Sequence, residues 1–248
     1  MPGSAASISE ANTVLNTIVA EELRQFADRL ECAADFESEL RALLRDVIRS
    51  NKRILFNGDG YSPSWAREAA TRGLLNLRTT PDAAPHLLAD KNIRLFAAHN
   101  VLSETELRAR HEIMLETYCR TVRIEALTML DMIMKDILPA VSSFSARLSQ
   151  NAAAKAAVCS DSDCSYETAV LTQLSRLTGE VFRNAAALNR AVTHSGELSS
   201  TEDAAAHARD TILPLMTALR TSVDEMETMT PSDCWPYPSC GQLLFSVR

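Results

Sequence analysis

The sequence predicts an all-α protein: long antiparallel helices packed as a bundle, with a loop-rich insertion of short helices near residues 51–100. Three observations lead there. Only 7 Gly and 9 Pro occur in 248 residues, and aromatic residues make up 5%. Ala, Leu, Met, Glu and Arg recur in runs, and these side chains lose little rotamer freedom in a helix. Apolar residues also return at three- and four-residue steps, and in the second half the spacing is close to a heptad, which favours packing at a shallow angle. With 46% hydrophobic residues, the chain can bury a sizeable core as one large or two small domains.

The first helix is expected over residues 12–32, where Val14, Leu15, Ile18, Val19, Leu23, Phe26, Ala27 and Leu30 form one apolar stripe. After a turn near Asp35, Phe36, Leu40, Leu43, Leu44, Val47 and Ile48 form a second stripe. Gly58, Gly60, Pro63, Gly73, Pro81 and Pro85 then divide the chain into short pieces. Ile54-Leu55-Phe56 reads as a brief extended run. Ser62-Pro63 has the cap and first-turn proline that start a helix running to Arg72, and Thr80-Pro81 repeats the device.

Ser103 with Glu106 forms a capping box, after which Leu107, His111, Met114, Tyr118, Val122, Met129, Ile133 and Ile137 predict a long helix ending at Pro139. Val170, Leu174, Leu177, Val181, Leu188 and Val192 mark the next long helix. Ala205, Ala208, Ile212, Leu215, Leu219 and Met226 mark the last. Pro214 falls inside that last stripe and predicts a kink or break, because proline lacks an amide and its ring clashes with the preceding turn. The tail, with Trp235, Tyr237, Leu243, Leu244, Phe245 and two prolines, cannot continue a helix and is expected to dock on the body or on a neighbouring subunit. The expected segments are thus residues 1–50, 51–100, 101–230 and 231–248.

Composition excludes some functions. Net charge is −7, the pI is about 5.3 and basic residues are interspersed with acidic ones, so nucleic acid is disfavoured as a partner. The N-terminus has no basic segment leading into an apolar one and no apolar run is long enough for a bilayer, which predicts a soluble, cytoplasmic protein without a membrane partner. Six cysteines are expected as reduced thiols, with Cys32 and Cys119 as small core residues.

No motif carries catalysis. Asn57-Gly58-Asp59-Gly60 resembles a phosphate loop only weakly and reads better as a tight turn. Cys159 with Cys164, and Cys234 with Cys240, lack the spacing of zinc knuckles. The histidines at 86, 99, 111, 194 and 207 form no metal-binding helix motif. Glu112, Glu116, Arg120 and Arg123 lie at three- and four-residue steps, which predicts intrahelical ion pairs on a solvated or interface face. No catalytic, cofactor-binding or metal residue is therefore assigned.

Six blocks in order across nearly the whole chain resemble type III glutamine synthetase, the long form of glutamate–ammonia ligase: SISEANTVLNTIVAEEL, KRILFNGDGYS, WAREAATRGLLNLRTTPDA, LFAAHNVLSETELRARHEIMLETYCRTVRIEALTM, ILPAV and WPYPSCGQLLF. The resemblance is to the C-terminal region. It implies a family reaction in which ATP activates glutamate for ligation of ammonia, with Mg or Mn held by carboxylates in an upstream strand domain and barrel. None of those ligand motifs occurs in this chain, so no cofactor is expected for it alone. Departures from the family pattern are Glu10-Ala11 in place of Gly-Pro, Leu75 in place of a common proline, and the CSDSDC linker.

The resemblance implies a C-terminal helical portion of the enzyme, without activity alone and with a structural or assembly role. Its expected partners are copies of itself or glutamine synthetase subunits. Two alternatives stand beside it: a free-standing helical interaction module that modulates full-length subunits, and an unrelated small-molecule enzyme built on the Asn57–Gly60 turn.

Overall fold

The computed structural model describes residues 7–159 and 161–245. It is all-α, and no strand occurs among the described residues. Two compact units divide the chain, Met1–Met114 and Leu115–Arg248.

In the first unit, α1 (Ser9–Glu31) begins three residues before the expected start and returns through a turn into α2 (Phe36–Ser50). Arg29 holds the hairpin, reaching Glu39 at 2.5 Å and Asp46 at 3.0 Å on α2. The apolar stripe of α1 is not buried: Leu15, Ile18, Val19 and Leu23 are exposed, whereas Thr17 is buried. Thr17 tolerates this because its hydroxyl donates to the Thr13 carbonyl at 2.7 Å, so no polar group is orphaned. On α2 the stripe also divides, with Leu43 buried and Phe36, Leu44 and Ile48 exposed.

The next stretch is more helical than its Gly and Pro content suggested. Residues Lys52–Ile54 form a 3₁₀ turn where an extended run was expected, and Leu55 takes extended backbone immediately after it. Helix α3 (Pro63–Thr71) starts as expected, with the Ser62 hydroxyl accepting the Trp65 amide. It ends in a left-handed Gly73 with φ of 71°, which lets the Leu74 amide reach back to the Ala69 carbonyl at 2.9 Å. Helix α4 (Thr80–Leu87) is capped by Thr79 and not by Thr80, so Pro81 occupies its second position. A further short helix, α5 (Asp90–Ala98), buries Phe96.

Helix α6 (Glu104–Met132) opens with the expected capping box: the Glu106 carboxylate accepts the Ser103 amide at 2.8 Å, and Ser103 Oγ accepts the Glu106 amide at 3.3 Å. Its first turns belong to the first unit and the remainder to the second.

In the second unit, neither proline ends its helix. A π-helical turn at Ile133–Ile137 joins α6 to α7 (Leu138–Val158), and a second at Ala208–Ile212 joins α9 (Thr201–His207) to α10 (Leu213–Met229). Each is followed directly by Leu-Pro. The Leu138 amide reaches the Ile133 carbonyl and the Leu213 amide reaches Ala208, five residues back in both cases. Proline would clash with the carbonyl four residues earlier, that of Lys135 or Asp210, and both residues lie inside the widened turns. The π-turn thus absorbs the proline and the helix continues.

Helix α8 (Ser165–Ser195) packs against α7 and α10. Lys155 pairs with Glu167 at 2.5 Å near the α7–α8 turn, Ser222 donates to Glu180 at 3.0 Å, and His207 Nε2 meets the Ala191 carbonyl at 3.0 Å. Between these helices the core contains Val122, Ala126, Ile133, Phe144, Leu174, Val181, Leu188, Ile212, Leu219 and Met226. Burial of such side chains, each contributing roughly 1.5–3 kcal/mol, dominates the stability of this unit.

The tail divides. Trp235 and Tyr237 pack against the core, and the Tyr237 hydroxyl donates to Asp136 at 2.8 Å. Beyond them, α11 (Cys240–Leu244) is closed by a Ser239/Gln242 capping box, yet Leu243, Leu244 and Phe245 are exposed.

Candidate functional site

The Asn57–Gly60 turn is used for structure. Asp59 folds it, accepting the Tyr61 amide on its carboxylate at 2.9 Å and the Ser62 hydroxyl on its carbonyl at 2.9 Å. Gly58 lies under the Phe56 ring, and a Cβ there would stand 2.5 Å from Cζ of that ring. Phe56 stacks on Trp65 with centroids 3.9 Å apart, and the Arg72 guanidinium lies 5.3 Å from the centroid of the same indole. Arg72 also donates from Nη1 to the carbonyls of Arg53 at 3.2 Å and Leu55 at 2.8 Å, while Nη2 pairs with Glu68. One arginine therefore ties the 3₁₀ turn to α3. Sequence reasoning missed it because its partners are backbone carbonyls 17 and 19 residues away.

Beside this cluster lies a groove of about 460 Å³ whose walls include Tyr61, Trp65, Leu75, Asn76 and Arg78. No carboxylate, histidine or cysteine is among the described residues lining it, so what it offers is stacking surface, the Tyr61 hydroxyl and a cation. A second groove, about 370 Å³, lies beside the π-turn at Ile133–Ile137 and is walled by Met129, Met132, Ile133, Met216 and Leu219. Only Glu125, Arg220 and Thr128 give it polar edges.

The other singled-out residues serve local structure. Arg123 does not join an ion-pair row; its Nη1 donates to the Val192 carbonyl at 3.1 Å and satisfies the last turn of α8, an attractive place for a cation. Glu116 and Arg120 are exposed. His99 Nε2 meets Glu21 Oε2 at 2.7 Å; Arg24, Gln25 and His99 together hold the Glu21 carboxyl well below the usual carboxylate range. His111 is buried, His86 is exposed, and His194 rests edge-on against His207.

Cys32, expected in the core, is exposed because α1 ends there. Cys119 is partly buried, donates to the Thr201 carbonyl, and has its thiol pushed up by that burial. Cys159, Cys164 and Cys234 are free thiols; the Cys164 thiol faces the Ala152 carbonyl and Cys234 accepts from Arg147. The Cys240 side chain lies outside the described residues.

The family profile described as the glutamine synthetase C-terminal domain matches residues 39–156, from α2 through most of α7. A glutamine synthetase of Butyrivibrio fibrisolvens is 32% identical over 214 residues, covering 86% of this chain and 31% of that protein. This chain belongs with the glutamine synthetases, through their C-terminal domain. The type-3 glutamine synthetase of Dictyostelium discoideum is 28% identical over 250 residues, 98% of this chain and 34% of its own length. A glutamine synthetase of Bacteroides fragilis is 28% identical over 253 residues, 98% of this chain and 35% of its own. The chain spans about a third of the length of the glutamine synthetases it matches.

Two positions expected to depart from the family pattern have a local context. Glu10 stands 3.8 Å from Arg110, so this acid has a cation to meet. Leu75 is exposed on the rim of the groove beside α3.

Proposed function

We propose that this chain is the helical scaffold portion of a type III glutamine synthetase, serving packing and assembly and inactive as a ligase by itself. The observation that carries the reading is coverage: the relatives match almost all of this chain, while the chain accounts for only about a third of each relative. Uncovered apolar side chains on α1 support it, since this 23-residue helix, packed mainly on α2 and α5, leaves Leu15, Val19 and Leu23 facing outward.

Phosphoryl transfer and amide formation need carboxylate-held divalent metal and cationic groups around the transferring phosphate. In this reading those groups, and the ATP and Mg or Mn they hold, belong to the portion that the relatives carry beyond the match. The test is glutamine formation from glutamate, ammonium and ATP with Mg or Mn present. The purified chain is expected to make none, and turnover by it alone would overturn the reading. Mixing with a complete glutamine synthetase, followed by size-exclusion chromatography, separates a built-in scaffold from a free-standing module: only the module co-elutes with complete subunits.

A further inference from the structure

Helix α2 presents two features side by side that its own unit does not use. Leu44 and Ile48, one turn apart, are 53% and 55% exposed. Next to them, Arg41, Arg45 and Arg49 form a row at four-residue steps that continues into Lys52 and Arg53, all exposed. The acids of α2 are already engaged: Glu39 and Asp46 pair with Arg29, and Glu37 lies 3.8 Å from Arg41. Arg45, Arg49, Lys52 and Arg53 have no acidic partner among the described residues. Arg49 complements the C-terminal dipole of α2, but that accounts neither for the other cations nor for the uncovered leucine and isoleucine.

We propose that this face of α2 is a docking surface for an acidic amphipathic helix of a protein partner. The partner's apolar residues, spaced at i, i+4 and i+7, would cover Leu44 and Ile48, and its flanking carboxylates would meet Arg45 and Arg49. Charge complementarity selects this occupant, because a free basic row on a chain of net charge −7 is a local attraction for anionic groups. An anionic membrane is the poorer fit: Glu37 lies two turns before Leu44 on the same line, where lipid headgroups would repel it. A phosphate backbone would leave the apolar pair in water. The inference is independent of the ligase reading, and its failure leaves that reading untouched.

The experiment is fluorescence anisotropy of the full chain with a labelled helical peptide carrying leucines at those spacings and glutamates on one flank. Controls are the same peptide with glutamine for glutamate, and vesicles of phosphatidylcholine with phosphatidylserine. Saturable binding is expected at low ionic strength, weakening with added salt as exposed charges are screened. Arg45→Glu with Arg49→Glu should weaken it by at least about tenfold, as should Leu44→Ser with Ile48→Ser. These positions are exposed, so helical circular dichroism should be unchanged in both variants. Absence of binding, equal binding of the glutamine peptide, or indifference to both double variants overturns the proposal. Tighter arginine-dependent association with the vesicles than with the peptide overturns it in favour of a membrane surface.

Discussion

Two leucines of identical chemistry, Leu188 on α8 and Leu23 on α1, should lose very different amounts of stability on replacement by alanine. Leu188 is 0% exposed inside the core of the second unit, and removing three carbons there leaves a cavity that the neighbouring helices fill only in part. Such sites lose roughly 2–5 kcal/mol. Leu23 is 62% exposed. Its side chain keeps little more than a third of its possible burial, so Leu23→Ala should cost about 1 kcal/mol or less. Urea titration measures both, because the chain has two tryptophans, Trp65 in the first unit and Trp235 in the second. With the other tryptophan replaced by phenylalanine, each unit is followed by its own fluorescence, and the slope with urea should stay constant while the midpoint moves. Comparable losses for the two variants would refute the reasoning, since they would mean that the α1 face is covered in the isolated chain.

Two predictions concern pH. The Tyr237 phenol is pushed up to about 12 by burial and by its bond to Asp136, above its ordinary value near 10. The folded state holds that proton more tightly, so its stabilisation is present below pH 10 and is lost as pH rises through about 12; Tyr237→Phe should remove the last phase of an ultraviolet phenolate titration. The Glu167 carboxyl is held below its ordinary value by the Lys155 ammonium. Its contribution is therefore present above the usual carboxylate range and is lost as pH falls through the lowered value. In Glu167→Gln, stability measured by urea titration at successive pH values should fall less steeply on the acid side than in the parent chain; an unchanged acid limb would show that the pair contributes nothing.

Helix identity was legible in the residues, and so were most starts. Ser62-Pro63 and Ser103 with Glu106 mark true helix beginnings because capping is local chemistry, decided by a hydroxyl or carboxylate within three residues of the amide it satisfies. The long stripe from Leu174 to Val192 is buried as its periodicity requires, for a helix with neighbours on that side. The likeness of the tail and of residues 51–83 to glutamine synthetase was also present in the sequence, since it rests on residue order and not on geometry.

Other features needed the fold. Pro139 and Pro214 read as interruptions, yet each sits two residues past a π-turn that makes room for its ring, and that accommodation depends on the register the core imposes on both sides. Arg72, Arg123 and Glu167 take partners 12 to 69 residues distant. The α1 stripe is apolar as its periodicity predicted, yet Leu15, Ile18, Val19 and Leu23 are exposed. Periodicity reports which side chains share a face, but only the presence or absence of a packing neighbour decides whether that face leaves water.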